Sequence, residues 1–129
     1  MNTLAVQVLQ ENGLSFELLV DGEPISKHLN DGNGGIPHWI VGDGLPTWPP
    51  TGTNADAAVR IVSVCGCGEY GCGHTRCAIR RDGEVVVFEN FAGDVGSRGS
   101  GFRFVFPASE YDEVSSVMAE RTLEYKPDA

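Results

Sequence analysis

All four cysteines of this chain fall within thirteen residues: Cys65-Gly66-Cys67-Gly68-Glu69-Tyr70-Gly71-Cys72-Gly73-His74-Thr75-Arg76-Cys77. Thiols this dense bind a metal, pair with one another or exchange electrons. The glycines between them let the backbone turn sharply, because a residue without Cβ takes positive φ at no steric cost. Apolar, β-branched sequence runs into the segment from Ala57 to Val64, and strand-like sequence leaves it from His74 to Arg81. The fold must therefore place a tight knuckle between two strands.

Zinc takes four Cys or His ligands in near-tetrahedral array. Cys65, Cys67 and Cys72 supply three, and the fourth is His74 or Cys77. These two are three positions apart on a predicted strand, so they leave opposite faces. Cys77 shares a face with Ile79, and across the next hairpin with Val86 and Phe88, where a reduced Cys acts as a small hydrophobe. His74 lies nearer the loop. The candidate zinc set is thus Cys65, Cys67, Cys72 and His74. The single residue between Cys65 and Cys67 departs from the two-residue gap of common zinc knuckles. The competing reading is a Gly-Cys turn with buried, reduced thiols. Gly66 to Gly71 also spells G-x-G-x-x-G, but a dinucleotide site needs a helix to begin there. The chain continues instead into a strand hairpin, which excludes that site.

A chain of 129 residues predicts one domain, 1–129. Its 41% hydrophobic and 21% charged residues are those of a soluble globular protein. The net charge of −9 opposes nucleic-acid binding and suits a basic protein partner. Met1-Asn2-Thr3-Leu4 lacks the basic, then apolar, opening of a signal peptide. No segment approaches the roughly 20 apolar residues of a membrane span. The expected compartment is the cytoplasm, where thiols stay reduced and disulfides are rare.

Along the chain, Glu11-Asn12-Gly13 separates Thr3–Gln10 from Leu14–Val20 and predicts a hairpin. Leu4, Val6 and Val8 share a face, as do Leu14, Phe16 and Leu18. Glu23–Leu29 predicts a short helical turn with Pro24 at its start. Asn30–Thr53 turns to Gly and Pro and carries Trp39 and Trp48; it reads as a covering loop with an extended piece over Ile36–Val41. Ala57–Val64 reads as a buried central strand. Asp82-Gly83 predicts a type I′ turn, with Arg81 opposite Glu84, Ile79 opposite Val86, Cys77 opposite Phe88 and Arg76 opposite Glu89. Ala92–Gly101 reads as a flexible loop and Phe102–Phe106 as a strand. The rest is a helix, capped by Ser109, with Tyr111, Val114, Val117 and Met118 as its apolar stripe. The expected class is α+β: a mostly antiparallel sheet of five or six strands covered by one C-terminal helix.

Other chemistry is thin. There is no G-x-S-x-G nucleophile elbow, His28 and His38 are isolated in sequence, and no carboxylate pair stands out as acid and base. The knuckle resembles that of a family of small uncharacterised bacterial proteins, mainly actinobacterial. Their pattern is an apolar strand, Cys-x-Cys-Gly-x-x-Gly-Cys, then a hairpin ending in an aromatic segment. Here it reads Val62-Ser63-Val64-Cys65-Gly66-Cys67-Gly68-Glu69-Tyr70-Gly71-Cys72 and Val86-Val87-Phe88-Glu89-Asn90-Phe91, with Phe88 in place of a Trp. Phe16 to Gly22 resembles the family's N-terminal strand and turn. The resemblance implies three recurrent cysteines, matching Cys65, Cys67 and Cys72, and no activity. Two functions are therefore expected to compete. One is a non-enzymatic, immunity- or adaptor-like binding module. The other is a cysteine-dependent enzyme, working by thiol redox or through a metal, with His74 and Arg76 lowering the pKa of Cys72.

Overall fold

The computed structural model describes residues 1–10, 13–42, 58–66 and 73–125. Strands β1 (Leu4–Leu9) and β2 (Ser15–Val20) form the expected antiparallel hairpin, with Leu4 opposite Val20, Val6 opposite Leu18 and Val8 opposite Phe16. Alternation sorts the faces: Leu14, Phe16, Leu18 and Val20 are buried while Ala5 and Gln7 face solvent. Glu11 and Asn12 of the expected turn lie outside the described residues. The two-residue β3 (Glu23–Pro24) folds back on β2. Pro24 then caps helix α1 (Ile25–Leu29), which ends at Asn30 in the left-handed conformation.

The extended piece expected over Ile36–Val41 is confined to β4 (Ile36–Pro37), which pairs with β2; His38–Gly42 is a helical turn, α2. The turn carries both Ile40 and Val41 into the core.

The second sheet runs β5 (Ala58–Val64), β6 (His74–Asp82), β7 (Val85–Gly93), β8 (Arg103–Pro107) in that order, all antiparallel. The strand expected at the centre, β5, lies at the sheet's edge. Gly34 bridges only its end, where Gly34 N donates to Val64 O (2.8 Å) and Val64 N to Gly34 O (3.3 Å), while Val59 near its start is 54% exposed. At the opposite edge Asn2 N donates to Val105 O (2.8 Å), and Val105 N donates to Asn2 Oδ1 (3.1 Å). Among the described residues the fold is thus α+β with six strands of five or more residues. Together with β3 and β4 they form two four-stranded antiparallel sheets rather than one.

The β6–β7 turn is shifted by one residue from expectation. Asp82 pairs with Val85, leaving Gly83 and Glu84 as the two central residues. Gly83 has φ 63°, and Glu84 is not among the non-glycine residues with positive φ. That is the type II′ pattern, which needs positive φ at one residue only and spares Asp82 the left-handed conformation that type I′ demands. Ile79 consequently faces Phe88, and Arg81 faces Val86. From Ala78 to Asp82 the register slides by two, so those side chains keep their face; a bulge at Asn90 of β7 then shifts it once more, setting Arg76 opposite Ala92. Cys77, Ile79, Val86 and Phe88 are all buried, as expected. The charge pairs do change. Arg76 does not meet Glu89, and Arg81 does not face Glu84. Glu89 instead takes Arg80 (Nε–Oε2 2.8 Å) and Arg103 (3.5 Å), and Arg81 pairs with Asp112.

The segment after β7 is no loose loop but a 3-10 turn over Gly96–Gly101. Helix α3 (Ala108–Glu124) starts directly after Pro107, so Ser109 stands inside its first turn and does not cap it. Pro107 ends the β8 ladder, having no N–H, and its φ of −58° suits a helix start. Tyr111, Val114 and Met118 are buried and Val117 half-buried, the stripe that helical spacing predicts. The Phe88 ring meets Phe106 and Tyr111 edge-on at 4.9 and 6.1 Å.

The open space around Gly83 means that a side chain there meets only backbone strain. Gly83→Val should cost about 1 kcal/mol or more in urea unfolding. The hydrogen bond from Arg80 holds the Glu89 carboxyl below its ordinary 4.5. A lowered folded pKa contributes stability above the unfolded value and loses it as pH falls through the folded one. Acidification below about pH 4.5 should therefore cost the native protein more stability than Glu89→Gln, measured by melting temperature across the range.

Candidate functional site

The knuckle springs from the end of the β5–β6 pair. Val64 faces His74, and Cys65 N donates to Gly73 O at 2.9 Å, so Cys65 and His74 stand at the root of the same loop. Both are half-buried. Cys67 and Cys72 lie outside the described residues. Alternation sends Cys65 to the face of Gly73, and His74 to that of Val64. A shared ion therefore requires the chain at this root to twist enough to bring the two together. Among the described residues no three His, Cys, Asp or Glu side chains gather closely enough to hold a metal. Cys77 lies in the hydrophobic core, opposite Arg60, and burial pushes its thiol well above the ordinary range.

Beside the root lies a polar cluster that the sequence reading missed. Ser63 and Thr75 face each other across β5 and β6, and both are fully buried. Ser63 Oγ (2.8 Å) and Thr75 Oγ1 (2.7 Å) both donate to Asp31 Oδ2. Asp31 Oδ1 accepts the Asn33 backbone N–H (2.9 Å), and the Asn33 amide donates to Asp94 Oδ2 (3.0 Å) and Ser63 Oγ (3.3 Å). Asp94 N in turn donates to His74 O (2.9 Å). Its carboxylate leans over Gly73, where a Cβ would come within 2.5 Å of Oδ2, so a larger residue there would displace the Asp94 side chain. From the 3-10 turn, Arg98 donates to Leu29 O (3.1 Å) and Asn30 O (3.2 Å). Residues 30–35 are thereby clasped to the strand ends that carry the knuckle.

Chemically the cluster is closed. Ser63 gives its proton to a carboxylate and accepts one from Asn33, an arrangement that fixes geometry rather than activating a nucleophile. Two signals for it exist in the sequence. Asp31-Gly32-Asn33 is an Asx-turn pattern, and Ser63 and Thr75 interrupt apolar strands, where a buried hydroxyl needs a partner. Neither signal names the long-range partner.

The acidic helix face divides. Of the α3 carboxylates Glu110, Asp112, Glu113, Glu120 and Glu124, Glu110 is half-buried and accepts Leu4 N–H (2.8 Å), while Asp112 holds Arg81. Glu113, Glu120 and Glu124 are exposed, and beside the last two Leu123 is 85% exposed. Trp39 packs half-buried against the core; Trp48 lies outside the described residues. His28 Nε2 lies 2.7 Å from Val20 O, and the His38 ring stacks at a tilt on Tyr125. No helix among the described residues is long and apolar enough to cross a membrane.

Removing the Asp31 carboxylate strands two fully buried hydroxyls. Asp31→Ala should destabilise the fold by about 2 kcal/mol or more. In hydrogen exchange, the amides of Ser63 to Cys65 and Gly73 to Thr75 should lose protection before those of β7.

Comparison with known protein families, with curated proteins and with solved structures returns no match for this chain.

Proposed function

We propose that this chain is a small non-enzymatic binding module, immunity- or adaptor-like, that meets a basic protein partner through the outward face of α3 and the side of the molecule carrying Trp39. The observation that carries this reading is the exposed end of α3. Leu123 stands out in solvent with Glu120 and Glu124 around it. Carboxylates near a helix C-terminus oppose the macrodipole, so helix stability does not account for them. An apolar side chain rimmed by like charges is the composition of a small interface. A net charge of −9 would steer a basic protein to it quickly and make the association salt-sensitive. In the same reading the knuckle is structural, with zinc on Cys65, Cys67, Cys72 and His74 locking the loop between β5 and β6.

The test is capture of partners from native lysate at low and high salt, with Leu123→Ala and Glu120→Lys/Glu124→Lys as controls. A protein retained at low salt, weakened by salt and lost with the control variants is expected. No retained protein, together with a turnover that Cys72→Ser abolishes in a folded chain, would replace the binding module by the cysteine-dependent enzyme. For the zinc, chelation should lower the melting temperature of protein purified without a tag; metal-free protein with unchanged melting would leave the reduced-thiol turn.

A further inference from the structure

Strand β1 ends its sheet, and the direction of its backbone groups is fixed by what they bind. Thr3 O accepts Asp21 N–H (3.0 Å) on the β2 side. Asn2 N–H goes instead to Val105 O and Leu4 N–H to Glu110 Oε1, both away from β2. Backbone groups alternate along a strand, so Val6 and Val8 also point their N–H and C=O outward. Among the described residues these groups have no hydrogen-bond partner. The register with β2 is unbroken from Leu4 to Leu9. The strand contains no Pro, no Lys and no bulge, three of the devices that blunt an edge, and among the described residues helix α3 hydrogen-bonds to it only at Leu4 N–H, through Glu110.

A groove of about 350 Å³ runs beside this edge, between β1 and α3. Val6, Val114 and Val117 give it an apolar floor, and Glu110 and Glu113 stand on its rim. Glu110 already occupies the first outward position on Leu4, so the next open donors are Val6 and Val8.

We propose that the outer edge of β1 and this groove take up an extended, lysine- or arginine-bearing segment of a partner protein as an added strand. Main-chain bonds to Val6 and Val8 would hold the segment, an apolar side chain would sit over Val114 and Val117, and a basic side chain would reach Glu113. Charge selects against the other obvious occupant. A second copy of this chain would bring two acidic rims and a net −9 from each side into one seam. The inference deepens the partner reading above by naming the chemistry of the bound segment, and it uses a face of α3 different from Leu123.

The probe is a capped peptide of about eight residues alternating Lys and Val, added to the full chain and followed by amide NMR and hydrogen exchange. In the free protein the Val6 and Val8 amides should exchange quickly. The peptide should shift and protect them, and its Glu-for-Lys counterpart should bind about tenfold more weakly or not at all. N-methylating alternate peptide nitrogens gives two phases. One should abolish binding and the other leave it, because only one set of N–H groups faces β1. Val8→Pro deletes an outward donor without touching the β2 ladder and should weaken binding about tenfold; the N-methyl pair decides the matter if that variant melts early. Protection of Val6 and Val8 in the free protein, equal binding of both N-methylated phases, or failure of the peptide to bind would each overturn the proposal. So would a concentration-dependent dimer that protects the same amides. If a lysate partner is captured and Val8→Pro leaves it bound while Leu123→Ala releases it, strand addition falls and the binding module stands.

Discussion

The two sheets are held together at two corners, and the core depends on both. At one, Asn2 joins the start of β1 to Val105 of β8; at the other, Gly34 joins the chain ahead of β4 to the end of β5. Both four-stranded sheets contribute side chains to one shared core. Closed against each other, they bury Phe16, Leu18, Ile36, Ile79, Phe88 and Phe106 almost completely. Open edges are thereby reduced, since the ends of β5 and β8 are both met by backbone from the other sheet. Among the described residues, the outer edge of β1 beyond Leu4 is one stretch that this closure leaves unpaired.

The Gly34 corner is the more demanding, because it must be made by a loop rather than a strand. Residues 30–35 reach β5 only because Asp31 takes the hydroxyls of Ser63 and Thr75, Asn33 takes Asp94, and Arg98 holds the carbonyls of Leu29 and Asn30. Each of these groups is costly to bury alone and inexpensive once paired. The result is a rigid root beneath the cysteine loop. Side chains from residues 31–33, β5, β6 and the segment after β7 meet at the strand ends from which that loop leaves.

Charged side chains elsewhere do similar work. Glu110 caps a backbone N–H of β1, Asp112 ties α3 to Arg81, and Glu89 joins β7 to Arg80 and Arg103. Among the described residues, α3 turns Glu113, Glu120 and Glu124 outward, beside the exposed Leu123 and near the outer edge of β1. Surfaces of that kind suit recognition of a basic chain, which is why the binding reading rests on α3 and not on the cysteines.

Local pattern was sufficient for much of this. The alternation of Leu4, Val6 and Val8, the β-branched run into Cys65 and the stripe of Tyr111, Val114 and Met118 encode elements whose periodicity is a property of a few neighbouring residues. The burial of Cys77 was also legible, because alternation along β6 puts it on the face of Ile79 whatever it meets on β7. Three things were not. The Gly83-Glu84 turn was settled by which residue tolerates positive φ once both strands were fixed. The helical turn of α2 spans only five residues, too few to show a period in the sequence. The carboxylate of Asp31 was assigned to Ser63 and Thr75 across 32 and 44 residues of chain. Sequence thus determined the strands, the main helix and the place of the knuckle, because these follow from short-range spacing. Tertiary structure alone decided how the sheets close and where each polar side chain finds its partner, because a hydrogen bond is specified by position in space and leaves no period in the chain.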